Sequence, residues 1–460
     1  MKYFYVVIFL WSSCFLQAQS NEDKILSLQE FLGYVKLYHP MVKQANLTLT
    51  QAEAKLLKAR GAFDPKLAYK LSKKEYKDKE YYDKQDVLFK IPTWYGVEFK
   101  AAYENNTGEY LNPESTVPED GLFSAGVSVS VAKNLLINDR MAQLKQAKLF
   151  NKQAEAEQQL QVNQILHDAT KTYAKWLQLY KNNSVYNSFL TNAETRFSGI
   201  VKSFKAGDKA AIDTVEAAVL VDNRMLLQEK SRLALLKARL ELSNYLWSSE
   251  NTPVELQEDV LPDVNVVTNF VTEELIDTIQ FKANEHPKFT SLQFKQQSLV
   301  VEKRLKMNNL LPEVNLQYNF LTEKPREINS LTRANYKGGI EVKFPLFLRK
   351  ERGDLKLAKA KLNDIDFELQ QQKVILDNKF TATKTAIQSY KKQLKTAKKM
   401  VKGYQTMVAA EERKFTLGDS SLFLINSREA KLIEAKLKAI ETENKLLEER
   451  ANLILLNQQL

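Results

Sequence analysis

Long helical patterns occupy most of the chain. In residues 136–204 and 349–415 apolar positions recur at helical spacing, and glycine or proline rarely interrupts them. Residues 211–247 and 421–456 continue the same pattern after a short break. At about 1.5 Å per residue, each longer run would extend about 100 Å. The pattern therefore predicts two very long helical hairpins.

The break in each hairpin carries the same short motif. Residues 204–208 read Phe-Lys-Ala-Gly-Asp, and residues 415–419 read Phe-Thr-Leu-Gly-Asp. Glycine enters the left-handed backbone conformation that ends many helices without a steric penalty. We therefore expect the hairpins to turn at Gly207 and Gly418.

The second hairpin also carries a narrow apolar stripe. Its members alternate in steps of three and four residues: Ile387, Tyr390, Leu394, Ala397, Val401, Tyr404 and Val408. Such a heptad stripe predicts coiled-coil packing against another helix. The remaining faces are polar, so these helices can wall a water-filled space.

A period of two replaces the helical period within residues 65–132 and 313–345. Alternating runs begin at Leu67, Val87, Val97, Phe123, Val314 and Tyr336. Clean alternation predicts a sheet with one apolar and one polar face. The connecting residues 73–86, 105–121 and 322–335 read as long polar loops, whereas 92–96 form a short aromatic turn. That asymmetry is typical of an outer-membrane β-barrel.

The chain contains an internal duplication. Short predicted helices at 28–38 and 275–285 precede two His-Pro pairs, and Pro40 and Pro65 lie 247 residues before Pro287 and Pro312. Proline removes an amide donor and disfavours helix in the residue before it, so all four prolines are expected to kink or end helices. The hairpin glycines are only 211 residues apart. The alternating runs within 87–103 account for the extra residues of the first copy.

These landmarks divide the chain into four parts. Residues 1–18 are a predicted signal peptide, with Lys2 before an apolar core and a small-residue cleavage site at Ala18. Residues 19–247 form the first repeat, 248–272 a linker, and 273–460 the second repeat. The only cysteine, Cys14, lies in the leader; whether it is acylated stays open.

Composition argues against several classes of function. The net charge is +11, but the lysines are interleaved with glutamates, which indicates a solvated helix surface and no nucleic-acid partner. The three histidines are dispersed, and no phosphate loop, nucleophile elbow or metal motif is present. The sequence therefore predicts no enzyme, no metal and no cofactor.

A barrel requires more strands than one chain supplies. The alternating runs offer four to six strands, and an open sheet edge in lipid would leave backbone amides unpaired. Six strands fall short of the smallest known outer-membrane barrels, so several chains must share one.

The sequence resembles the TolC-type outer-membrane efflux family in five features. They are the leader, the duplicated proline spacing, the strand pairs, the Phe-Pro-Leu-Phe segment at 344–347 and the hairpin motifs. The resemblance implies an α+β membrane protein: a trimeric outer-membrane β-barrel, with four strands per chain, continued by a long α-helical coiled-coil barrel in the periplasm. It also implies a periplasmic adaptor (a membrane fusion protein), an inner-membrane pump and surrounding outer-membrane lipid as partners. The expected function is the exit duct of a tripartite efflux or type I secretion system.

The resemblance also assigns residues at the hairpin tips. Five of them match the turns that face the adaptor: Gly207, Asp208, Gly418, Asp419 and Leu422. Asp213 matches an aspartate of the closing network, whereas Leu424 and Ser427 stand where an acidic ring is usual. Ser420 replaces an arginine that would latch the closed state. The entrance at Asp213, Leu424 and Ser427 is then expected to gate through a dry Leu424 ring.

Two alternatives stay open. The hairpin at 87–104 either joins the barrel wall, which gives about eighteen strands, or lies outside a twelve-strand wall, which the resemblance favours. A periplasmic coiled-coil adaptor, or a structural or adhesive envelope protein, would explain the helices without the strands.

Overall fold

The structure, a computed structural model, describes residues 24–266, 276, 278–327 and 330–457. The predicted signal peptide, Cys14 and the end of the linker lie outside the described residues. So do residues 275 and 277 of the short helix expected at 275–285, whose last residues, Ala283–Glu285, form a 3-10 turn. No helix in those ranges is both long enough and apolar enough to cross a membrane.

Helices make up most of the described chain. In chain order they are α1 (Leu28–Tyr38), α2 (Pro40–Arg60), α3 (Asp139–Lys205), α4 (Ala211–Ser243), α5 (Pro287–Asn308), α6 (Arg349–Thr416) and α7 (Leu422–Asn457). The strands are β1 (Lys24–Leu26), β2 (Lys66–Tyr76), β3 (Lys79–Pro92), β4 (Val97–Thr107), β5 (Leu122–Ala132), β6 (Val260–Pro262), β7 (Glu313–Thr322) and β8 (Tyr336–Lys343). The two predicted hairpins are therefore present, as α3–α4 and α6–α7.

The four prolines mark boundaries between elements more than kinks within them. Pro40 and Pro287 are the first residues of α2 and α5, where the missing amide costs no helical hydrogen bond. Pro65 and Pro312 directly precede strands β2 and β7. Each repeat thus uses one proline to begin a helix and another to pass from helix to strand.

A histidine caps the helix that follows each His-Pro pair. Nδ1 of His39 accepts a hydrogen bond from the Met41 amide at 3.3 Å, and Nδ1 of His286 accepts one from the Lys288 amide at 3.1 Å. Each cap satisfies one of the amides that a helix N-terminus leaves unpaired. Both rings are buried, which lowers the pKa of His39 and of His286 and keeps them in the neutral form that can accept.

One antiparallel sheet contains strands from both repeats, in the order β2-β3-β4-β5-β7-β8. The sheet of one chain therefore has six strands instead of the four that the resemblance implies, because β3 and β4 hydrogen-bond between β2 and β5. The loop expected at 73–86 is also wrong. Lys77 and Asp78, both with φ of 53°, form a tight turn of the kind that suits hairpins, and the charged residues around it pair as strand.

A second, small sheet ties the linker to the N-terminal region. Strand β6, inside the predicted linker, pairs in parallel with β1. The Tyr173 hydroxyl of α3 donates to the Leu26 carbonyl at 2.7 Å and accepts from the Asp263 amide at 3.0 Å. Burial raises the pKa of Tyr173, so this clamp stays protonated.

The main hydrophobic core lies where the short helices pack on the long ones. Phe31 of α1, with Tyr173 and Trp176 of α3, contacts a cluster that also takes in Ile387 of α6 and Leu447 of α7. Residues of the predicted heptad stripe face this core and a second one nearer the tips, built around Phe189 and Val408. The stripe therefore packs α6 mainly against α7 of the same hairpin, and α7 in turn packs against α3 of the first hairpin.

Gly126 is a tight position in the sheet, where β5 of the first repeat meets β7 of the second. A Cβ there would lie 2.1 Å from the Tyr318 carbonyl oxygen. We expect Gly126→Ala to destabilise the sheet by about 1–3 kcal/mol, because backbone atoms must move apart. Ser128→Ala, two residues along the same strand, is the control. Equal thermal unfolding midpoints for the two variants would contradict the expectation.

The cap at His286 predicts a pH dependence of stability. Burial, and then the charge of Lys379, lower the pKa of His286 to about 4. The unfolded chain has a histidine pKa near 6.5, so between about 6.5 and 4 only the unfolded state takes up the proton. Stability should fall as the pH falls through that window, by up to about 3 kcal/mol.

His286→Asn keeps a side chain that caps well but does not titrate there. The measurement is the unfolding free energy at pH 7 and pH 4.5 for both proteins. We expect a smaller difference in the variant, and an unchanged difference would refute the role of the cap.

Candidate functional site at the hairpin tips

The repeated hairpin motif closes each long helix in the same way. Gly207 and Gly418 have φ of 87° and 84°. The Gly207 amide donates to the Phe204 carbonyl at 3.0 Å, and the Asp208 amide donates to the Ser203 carbonyl at 3.0 Å. This pair of bonds is a Schellman motif, which satisfies carbonyls that a helix C-terminus leaves unpaired.

The second tip repeats the arrangement. The Gly418 amide donates to the Phe415 carbonyl at 3.1 Å, and the Asp419 amide donates to the Lys414 carbonyl at 2.9 Å. The repeated order Phe-x-x-Gly-Asp thus has a structural explanation: the phenylalanine and the residue before it supply the carbonyls, and the glycine supplies the left-handed backbone. The side chains of Asp208 and Asp419 are left exposed.

The two tips pack against each other inside one chain. Leu422 is 5% exposed and lies in a small cluster with Ile200 and Ala217, against which Phe197 and Phe415 also pack. Leu422 therefore joins the hairpins, whereas the glycines and aspartates of the turns face outward.

Apolar side chains remain uncovered around the turns. They are Phe204, Ile212, Val215, Leu417, Phe423 and Leu424. Basic residues at the ends of α3 and α6 and the exposed Asp208 and Asp419 surround them, so the tips combine apolar side chains with charges of both signs. Leu424 and Ser427 are exposed, and Asp213 is half-buried in the first turn of α4.

Above the tips, four helices converge on one buried carboxylate. Glu429 of α7 is 0% exposed. Arg196 of α3 donates to it twice, at 2.6 and 3.1 Å, and also donates to Glu412 of α6 at 3.2 Å. Arg224 of α4 approaches Glu429 to 4.0 Å. This tip network pairs two cations with two anions and links both hairpins.

The charges of the tip network support one another. Burial would lower the pKa of Arg196, but the hydrogen bonds that Arg196 donates to Glu429 and Glu412, together with the attraction of both carboxylates, outweigh burial and raise that pKa. Burial lowers the pKa of Arg224, against the attraction of Glu429. The guanidinium group of arginine does not lose its proton in proteins, so both arginines stay charged at neutral pH. Glu429 of the second hairpin consequently faces two charged arginines, one on each helix of the first hairpin.

A second polar cluster surrounds Ser420, the residue that stands where the resemblance implies an arginine latch. The Ser420 hydroxyl donates to Oε1 of Glu411 at 2.6 Å, and Nε of Arg428 donates to Oε2 at 2.8 Å. These bonds lower the pKa of Glu411. Ser420 thus anchors the second turn to its own two helices, α6 and α7.

Sequence reasoning did not find the tip network. Glu429 lies on the same face of α7 as Ile425 and Leu432, four residues before it and three after it, and all three are buried. A charged residue interrupting a buried apolar face is the signal that would have revealed it. Its partners are far apart in the sequence and have no shared spacing.

The tip network predicts unequal effects for two glutamates that contact the same arginine. Glu429→Gln leaves Arg224 buried without a counter-charge and leaves Arg196 with only the partly exposed Glu412, which should cost about 3–5 kcal/mol. Glu412 is 46% exposed, so Glu412→Gln should cost less than about 1 kcal/mol. Amide hydrogen exchange near the tips measures the difference. Equal protection of the tip amides from exchange in the two variants would contradict a stabilising role for Glu429.

The chain is similar to known proteins both in sequence and in fold. The family model described as outer membrane efflux protein matches residues 282–457. Comparison with curated protein sequences finds no match. Among solved structures, the Campylobacter jejuni CmeC outer membrane channel is similar with 12% identity and a TM-score of 0.66, over 94% of this chain and 85% of that one.

The outer membrane protein VceC of Vibrio cholerae is similar with 12% identity and a TM-score of 0.66, over 94% of this chain and 96% of that one. The open-state MtrE outer membrane channel of Neisseria gonorrhoeae has 11% identity and a TM-score of 0.65, over 94% and 88%. At identities this low, the structural similarity shows the fold alone. The second repeat of this chain therefore matches the model of the outer membrane efflux protein family, and the chain as a whole has the fold of these outer-membrane channels.

Proposed function

We propose that this chain is a subunit of an outer-membrane exit duct, which passes substrates from the periplasm to the exterior. The observation that carries the proposal is the six-stranded sheet. Its apolar side chains are exposed instead of buried under the chain's own helices, for example Leu67, Phe99 and Ile340. A sheet with one uncovered apolar face and one polar face suits a wall between lipid and water.

The helices suit the other half of a duct. Helices α3 and α6 have 67 and 68 residues and lead away from the sheet to tips about 100 Å distant. Their polar outer faces and narrow buried stripes fit a water-filled tunnel. We propose that the protein resides in the outer membrane, that the helices project into the periplasm, and that the chain catalyses no reaction.

We further propose a homotrimer that works with a periplasmic adaptor and an inner-membrane pump. The exposed glycines and aspartates of the turns, with the apolar side chains around them, offer the docking surface. Leu424 and Ser427 provide an uncharged entrance in place of an acidic ring, and Asp213 is the remaining carboxylate there.

An adaptor or adhesive envelope protein is the other class that long hairpins would fit. Neither needs a sheet whose apolar face is left open, and such a face would aggregate in water. The two functions are separated by where the protein is found. A channel should remain in detergent-extracted outer membrane and conduct ions in planar lipid bilayers, whereas release by osmotic shock with no conductance would overturn the proposal.

The tip turns give a functional prediction. Proline holds φ near −65°, which is incompatible with the positive φ of Gly207 and Gly418, and it also removes the amides that donate to the phenylalanine carbonyls. Each substitution should destabilise its turn by about 3 kcal/mol or more. The double variant Gly207→Pro, Gly418→Pro should therefore lose export.

The sheet lies far from both turns and should be unaffected. Bilayer conductance and heat resistance of the β signal in circular dichroism measure the sheet, and export of the cell's own substrates measures the tips. The control is Gly199→Ala on α3, where the added Cβ would meet no neighbouring atom. Normal export by the double proline variant would remove the turns from the docking surface.

A further inference from the structure

The edges of the six-stranded sheet are unpaired in a single chain. Among the described residues, β2 pairs only with β3, and β8 pairs only with β7. Neither strand is covered by a helix, and residues such as Tyr69 and Val342 are exposed there. In lipid these edges would leave backbone groups without partners, so each edge must find another strand.

One row of facing residues shows that all six strands share the apolar side. Leu67 of β2 is opposite Phe89 of β3, which is opposite Ala101 of β4. Ala101 is opposite Ala125 of β5, which is opposite Phe320 of β7. The row ends at Tyr336 of β8. Strands β3 and β4 therefore present apolar side chains at the same level as the other four.

The neighbouring row shows that all six strands also share the polar side. It contains Lys66, Lys90, Lys100, Gly126, Asn319 and Lys337, one from each strand in sheet order. Four lysines at one level of a sheet face require water and not lipid. A hairpin outside the wall would not be constrained to keep its apolar and polar residues in register with those of the neighbouring strands.

The strand directions permit the sheet to close. Every neighbouring pair is antiparallel, and with six strands the two edges run in opposite directions. Strand β8 of one copy can therefore add to β2 of the next as another antiparallel neighbour. A row of such copies closes into a barrel with an even number of strands.

We propose that β3 and β4 are part of the membrane wall, and that three copies close an eighteen-stranded barrel by pairing β8 of each copy with β2 of the next. The number three rests on the homotrimer proposed above. With strands about 4.8 Å apart and tilted about 40°, eighteen strands enclose a barrel about 36 Å across, against about 24 Å for twelve. The wall thus encloses about twice the cross-section that four strands per chain would give.

Cysteine accessibility tests the position of β4. The only native cysteine, Cys14, is replaced by serine. Single cysteines are then placed at Phe99, Lys100, Ala101 and Ala102 and treated with a membrane-impermeant maleimide in outer-membrane vesicles. Lys100→Cys and Ala102→Cys face the lumen and should react, whereas Phe99→Cys and Ala101→Cys face lipid and should be protected at least tenfold. Reaction at all four positions would overturn the proposal.

Strand β5 provides the matched control, because it belongs to the wall in either arrangement. Val127→Cys should be protected and Ser128→Cys should react. Alternation in β5 without alternation in β4 would refute the eighteen-stranded barrel but leave the channel intact. Loss of alternation in both strands would refute the channel itself. The chain number from native mass spectrometry in detergent completes the test: three copies give eighteen strands, and two copies would exclude that number.

Discussion

The unpaired edges of the sheet govern the rest of this structure. A backbone amide or carbonyl in lipid has no water to bond to, and each one left unsatisfied costs several kcal/mol. Strands β2 and β8 expose such groups along their length. A single chain therefore cannot pair all of its strands. Both its oligomeric state and the width of its barrel follow from how the edges β2 and β8 are paired.

The internal duplication solves the same local problems twice. A histidine and a proline begin α2 and α5, a proline precedes β2 and β7, and a Schellman motif ends α3 and α6. The hairpins are then joined by contacts that the repeats do not share. Glu429 and the two arginines that surround it bind across the hairpins, so any separation of the tips must expose or replace a buried ion pair.

The elements that depend on local chemistry were predictable from the sequence. Glycine at the hairpin turns, proline at the helix starts and the apolar alternation of β5 and β7 are each dictated by neighbours a few residues away. Residues 79–86 of β3 were not predictable as strand, because they are largely charged and polar and resemble a loop until they pair with β2. The tip network was missed for a similar reason: Arg196 and Glu429 meet only in the folded chain, 233 residues apart.

The most direct test is an electron cryo-microscopy reconstruction of the protein extracted from the outer membrane into lipid nanodiscs. The account predicts three chains, with β8 of each paired to β2 of the next around a closed wall, and helical hairpins extending about 100 Å below it. A wall that excludes β3 and β4, or a chain whose sheet edges are satisfied without a second copy, would contradict it.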